Sequence, residues 1–161
     1  MSNQQLRFKN TDWALILGAS SGFGGATAVA LAEHGMNICG VHFDRAATMH
    51  LVEDVKKKVN AAGVKSMFFN VNAADAEKRE EILKALKAET NKSPDGCVRV
   101  LMYSLAFGTL KPYISENADD MITQAQVEMT MDVMANSVVY WTQGAFAHGM
   151  LRRGSRIVGM T

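Results

Sequence analysis

The sequence of 161 residues predicts an α/β fold, a doubly wound parallel sheet of five strands with helices on both faces and the last strand at the chain end. Three observations predict it. Short apolar runs alternate with helix-period patterns along the whole chain, the order expected of strands joined by helical crossovers. A glycine-rich stretch, "LILGASSGFGGATA" (15–28), falls where the first strand should end and the first helix begin. No repeat, low-complexity segment or linker breaks the alternation, so residues 1–161 read as one domain.

The first strand is "WALILG" (13–18), a short run with apolar residues on both faces, as a buried parallel strand requires. Small residues carry the first helix from about Gly22 to His34, and "MNICGVHF" (36–43) is the second strand. Leu51, Val55 and Val59 then recur four apart with Lys56, Lys57 and Lys58 among them, which makes one apolar stripe on an amphipathic helix. "VKSMFFNV" (64–71) is the third strand. Asp75 is placed to cap the next helix, where Ile82, Leu83 and Leu86 share a face opposite Lys78, Arg79 and Lys84. "SPDGC" (93–97) is turn chemistry, and "VRVLMYSLA" (98–106) is the fourth strand. A long helix is expected over 117–150, followed by a fifth strand, "SRIVGM" (155–160).

Composition excludes several functions. Seventeen basic and sixteen acidic residues are scattered without a basic block, so no nucleic-acid partner is expected. No apolar run approaches the ~18 residues of a membrane span, and the polar start "MSNQQLRFKNTDW" lacks the apolar centre of a signal peptide. Cys39 and Cys97 read as reduced thiols of a cytoplasmic protein. His34, His42, His50 and His148 fall on different elements without a Cys or carboxylate at ligand spacing, so no metal site is expected.

Gly18-x-x-x-Gly22-x-Gly24 carries the chemistry. At the carboxyl end of a strand and the amino end of a helix, unpaired amides and the helix dipole favour a pyrophosphate. Glycine permits the tight turn and the close approach of phosphate to backbone, and Ser20 and Ser21, beside Phe23, can add hydroxyl bonds or brace the loop. Asp44 lies 20 residues beyond Gly24, near the place where an acidic residue bonds the adenosine ribose and favours NAD. Arg45 follows at once and could hold a 2′-phosphate instead. A solvated Asp44–Arg45 pair in an ordinary loop is the bland alternative.

These residues resemble the short-chain dehydrogenases/reductases. "GASSGFG" is similar to that family's cofactor loop, and the likeness continues through "NVN" (70–72), "YSLAFG" (103–108), Asn136 and "SRIVGMT" (155–161). The resemblance implies a Rossmann fold and an NAD(P)H-dependent oxidoreductase. It places His42 nearer than Asp44 to the family's acidic position. "VHFDR" is similar to the loops of NADPH-using acyl reductases, so NADPH is slightly favoured over NADH. Asn70, with Val71 beside it, resembles the polar residue that bonds the adenine amine; a plain strand-end polar residue is the alternative.

Tyr103-Ser104-Leu105-Ala106 stands where most relatives carry Asn-Asn-Ala-Gly, and it is similar to stretches of enoyl-[acyl-carrier-protein] reductases. That likeness implies that Ser104, Leu105 and Ala106 border the nicotinamide ribose, with Phe107 and Gly108 shaping an acyl pocket; for Phe107, filling the core is an equal alternative. Asn136 resembles the helix asparagine that holds a water in a proton relay. If buried it needs partners; if it faces solvent it needs none.

The family's tyrosine–lysine pair does not occur here: Tyr103, Tyr113 and Tyr140 have no lysine three or four residues on. The simplest expectation is the front part of a longer reductase. Met121, Met129, Met131 and Met134 read as packing residues, and the resemblance implies that the long helix over 117–150 pairs copies into a homodimer or homotetramer. The expected activity is reduction of an acyl thioester, carried on acyl carrier protein or coenzyme A, with an enoyl chain first and a 3-oxoacyl chain as rival. A non-catalytic dinucleotide-binding module is the reading of another class.

Overall fold

A computed structural model describes residues 7–160. Five strands, β1 (Asp12–Leu17), β2 (Asn37–His42), β3 (Ser66–Asn70), β4 (Cys97–Tyr103) and β5 (Arg156–Gly159), form one parallel sheet in the order β3-β2-β1-β4-β5. The chain builds outward from β1 to β3, then returns to the other side of β1. The carboxyl ends of β1 and β4 therefore flank the point where strand order reverses, the place such sheets offer a ligand.

Alternation along β1 divides the core. Trp13, Leu15 and Leu17 pack with residues of α3 (Ala76–Thr90) and α5 (Ser137–Ala147), among them Leu83, Leu86 and Trp141. Ala14 and Ile16 pack with residues of α1 (Gly22–Glu33) and α2 (Met49–Ala61), among them Ala28, Val55 and Val59. Both faces are covered, which is why β1 and β2 are buried at every position. Asp75 caps α3 as expected, its side chain accepting from the Lys78 N–H at 3.0 Å, and Ile82, Leu83 and Leu86 are buried.

The structure corrects three expectations. In α2 the buried positions are Val52, Val55 and Val59, while Leu51 is half exposed. Spacings of three and four hold a helix face over the sheet, whereas four repeated twice drifts off it. Strand β4 stops at Tyr103 rather than Ala106. Its last bond to β1 is Ser104 N–H to the Leu17 carbonyl, 2.8 Å, after which β1 turns away at Gly18. The helix expected over 117–150 is three pieces. Asn117 caps a separate 3-10 turn (Ala118–Asp120), and a reciprocal capping box between Thr123 and Gln126 starts α4 (Gln124–Met131). A π turn (Asp132–Asn136) then joins α4 to α5. Gly149, at φ +66°, ends α5 by letting the Met150 N–H reach back to the Ala145 carbonyl.

Candidate functional site

The loop after β1 is fixed by backbone. The Gly18 and Ala19 N–H groups donate to the Val41 carbonyl at 2.8 and 3.0 Å, so the loop leaves the sheet already tied to β2. Gly18 has φ +89°, and a Cβ there would fall on the Ser104 carbonyl; a Cβ at Gly24 would fall on the Gly18 carbonyl. Gly22, at φ +54°, has open space instead. Two glycines thus let helix, strand and loop close together, and the third opens the turn. Ser21 precedes α1 but its hydroxyl caps nothing, and the first turn of α1 holds no acidic residue. The first turn of α1 thus carries no charge of its own against an anion at its amides, which fits an anionic group.

One cleft opens over these carboxyl ends. Its floor and walls bring together Gly18, Ser20, Ser21, Gly22 and Phe23 of the loop with His42 of β2. Val71 and the stretch Ser104, Leu105, Ala106 and Phe107 complete the predicted residues found there. Sequence reasoning missed Val41, Phe43, Asn72, Ala73 and Val133, which also line it. Asn72 and Ala73 directly follow Val71, so the end of β3 was the signal available; Val133 carried none.

The remaining predicted residues lie outside the cleft. Gly24 sits buried beneath the loop, its role being contact with Gly18. Gly108 packs on α4, where a Cβ would meet Thr130 Cγ2 at 2.7 Å. Asn136, expected in a proton relay, is exposed in the π turn with its amide 3.4 Å from Asp132 Oδ1, and it is not among the residues that line the cleft. The π turn presents Val133 to the cleft instead. The Val133 carbonyl accepts from the Tyr103 hydroxyl and from Ser137 Oγ, the latter at 2.8 Å. Burial pushes the Tyr103 hydroxyl above its ordinary pKa, so it remains a neutral donor.

At the far end, Asn70 is committed to backbone. Its Oδ1 accepts from the Asp44 N–H at 2.9 Å, and its Nδ2 donates to the Asp44 carbonyl at 3.0 Å. His42 is buried, with Nδ1 3.1 Å from Asp44 Oδ2. Burial holds the His42 pKa below the usual histidine value, although the Asp44 carboxylate pulls it upward. Arg45 is exposed, and among the described residues its guanidinium has no ion-pair partner.

A family model described as short chain dehydrogenase matches residues 12–161. The chain belongs to the short-chain dehydrogenase family. A curated member, 3-oxoacyl-[acyl-carrier-protein] reductase of Staphylococcus aureus, is 33% identical over 81 residues, 50% of this chain and 32% of that enzyme. Among solved short-chain dehydrogenase structures, one from Serratia marcescens superposes with TM-score 0.72 at 22% identity. A blue fluorescent protein from a metagenomic library, in complex with NADPH, gives 0.75 at 22%. A short chain dehydrogenase from Burkholderia cenocepacia, in complex with NADP, gives 0.71 at 20%. Each superposition covers 97% of this chain and 56% of the other, so the chain spans about half the length of these solved relatives. Among the described residues, no helix is long and apolar enough to cross a membrane.

Proposed function

We propose that this chain is the cofactor-binding part of an NAD(P)H-dependent oxidoreductase that reduces an acyl thioester. The uncapped start of α1, packed against β1 and β4 through Gly18 and Gly24, is the observation that supports it. The amides at Gly22–Gly24 would hold the pyrophosphate, with Ser20 and Ser21 beside it. The adenosine half would lie between the His42–Phe43 wall and the Val71–Ala73 wall, and Ser104–Ala106 would border the nicotinamide half. When bound, the cofactor supplies a hydride to the acceptor.

Acceptor chemistry needs a proton donor, and the tyrosines here do not offer one. Tyr103 is buried against the Val133 carbonyl, Tyr113 is exposed, and the Tyr140 ring lies 5.2 Å under the Arg79 guanidinium. We propose that the family's tyrosine–lysine pair lies in further sequence, in keeping with the half-length match to the solved relatives. The Tyr103–Gly108 stretch favours an enoyl acceptor, and the Staphylococcus aureus relative's name favours a 3-oxoacyl one. Exposed apolar residues on α4 and α5, among them Met131, Val139 and Phe146, support pairing with a second copy.

The test follows NADPH absorbance with crotonyl and acetoacetyl thioesters, using residues 1–161 beside the full reading frame. Turnover by the longer protein alone, with one thioester preferred, is expected. Comparable turnover by the 161 residues would overturn the assignment of the donor.

A further inference from the structure

In a dinucleotide fold, a carboxylate about 20 residues after the glycine loop ordinarily accepts from the adenosine ribose. Asp44 lies at that spacing from Gly24, yet its side chain is only 11% exposed. The carboxylate is turned onto His42, Oδ2 to Nδ1 at 3.1 Å, and Asn70 clasps the Asp44 backbone through both its N–H and its carbonyl. The cleft wall on this side consists of Val41, His42 and Phe43, and Asp44 is not part of it.

We propose that His42 withdraws Asp44 from the ribose, and that proton binding by His42 sets how well this site accepts a 2′-phosphate. The preference for NADPH over NADH is then stronger in acid than in base. The proposal rests on the dinucleotide reading above and concerns the regulation of that same site.

The charge balance gives the sign. With His42 neutral, the Asp44 carboxylate presents an uncancelled negative charge to an incoming phosphate. With His42 protonated, the pair is neutral and Arg45 remains as the exposed cation. The other charges that reach His42 come from α2, where Lys56 disfavours the protonated ring and Glu53 favours it. Asn70, across on β3, is uncharged. One elementary charge a few ångströms away, at a partly screened site, changes phosphate affinity by about tenfold. Binding is reciprocal, so the phosphate must raise the His42 midpoint by the same factor, about one pH unit. The cofactor's own phosphate also titrates, near pH 6, but in the opposite sense, since its dianion binds Arg45 better as pH rises. Affinity against pH would mix the two effects; the imidazole resonance reads His42 alone.

The experiment is an NMR titration of the histidine rings of the 161-residue chain from pH 5 to 8, free and with NADP+ or NAD+. His42→Gln identifies the His42 signal, and His34, His50 and His148 serve as internal references. NADP+ is expected to raise the His42 midpoint by about one pH unit and NAD+ to leave it in place. Asp44→Asn at pH 8 is expected to tighten NADP+ about tenfold while leaving NAD+ affinity unchanged. If the Gly18–Gly24 amides respond to both cofactors but His42 shifts with neither, or equally with both, this proposal falls and the dinucleotide reading stands. Weakened NAD+ binding in Asp44→Asn would show that the carboxylate holds the ribose after all, and also overturns it. No response of those amides to either cofactor overturns the dinucleotide reading, and this one with it.

Discussion

The two flanks of β1 are built on different terms. On the β2 side β1 and β2 are buried at every position, the edge strand β3 is half-buried up to an exposed Asn70, and α1 lies so close that Gly24, Gly25, Ala28 and Ala32 are buried with it. On the β4 side, β5 exposes all four residues and α4 buries none. The loop between β4 and α4 displays Leu110, Tyr113 and Ile114 almost wholly. The flank that carries the glycine loop therefore holds its geometry through its own backbone and core. The loop after β4, α4 and β5 have few buried contacts of their own, which is the physical signature of a region that opens more readily.

The largest effects should come from breaking that contrast directly. Leu15→Ala, at a fully buried position, is expected to cost about 2–5 kcal/mol of stability, and Val158→Ala in β5 no more than about 0.5 kcal/mol. Urea unfolding measures both, and comparable costs would erase the distinction between the flanks. Next in size is Gly18→Val, which combines a positive φ with the Ser104 carbonyl and should cost about 1–3 kcal/mol while abolishing cofactor binding. Gly22→Ala, strained but unobstructed, should cost about 1 kcal/mol. Equal penalties for the two would mean that crowding at Ser104 is not what the loop depends on.

A smaller effect probes the joint between the flanks. Tyr103→Phe removes one of two donors to the Val133 carbonyl and should lower stability by about 0.5–1.5 kcal/mol. Amide exchange should quicken around residues 132–137; unchanged exchange would show that Ser137 alone holds the turn. The smallest effect is a pH slope. His42 in the folded chain resists protonation more than in the unfolded chain, so the unfolded state binds the extra proton between the folded value and about 6.5. Stability should rise with pH through that window and level off above it. His42→Gln should flatten the slope in thermal melts at stepped pH.

Legibility in the sequence follows the same division. Alternation and glycine spacing located β1, the loop and α1 within a residue or two, because buried parallel strands and close helix packing leave few residue types to choose from. Leu51 and Val52 show the weaker side of that method, since both are apolar and only the sheet decides which one it covers. Past Tyr103 the pattern loses its hold. The 104–123 segment is apolar in places yet exposed, so hydrophobicity there reported no core. Asn136 and Val133 share the π turn, where a count from the α-helical period does not tell which residue turns towards the cleft. The Asn70 clasp on Asp44 was invisible for another reason, since it is a side chain bonding backbone 26 positions away.

The π turn has one more consequence, in the language of design. A builder tidying residues 124–147 into an ideal α-helix would restore one bond pattern throughout. The five-residue turn, however, spends one residue more than an α turn before resuming, and each residue advances an α-helix by about 100°. In the tidied helix the socket now filled by Trp141, whose ring N–H donates to the Ala73 carbonyl at 2.8 Å, would pass to Tyr140. The place over which Arg79 stacks would pass to Val139. One surplus residue thus acts as a phase shifter: α4 can answer to the loop over the cleft while α5 answers to the sheet, and a regularised version of the same sequence would satisfy only one of them.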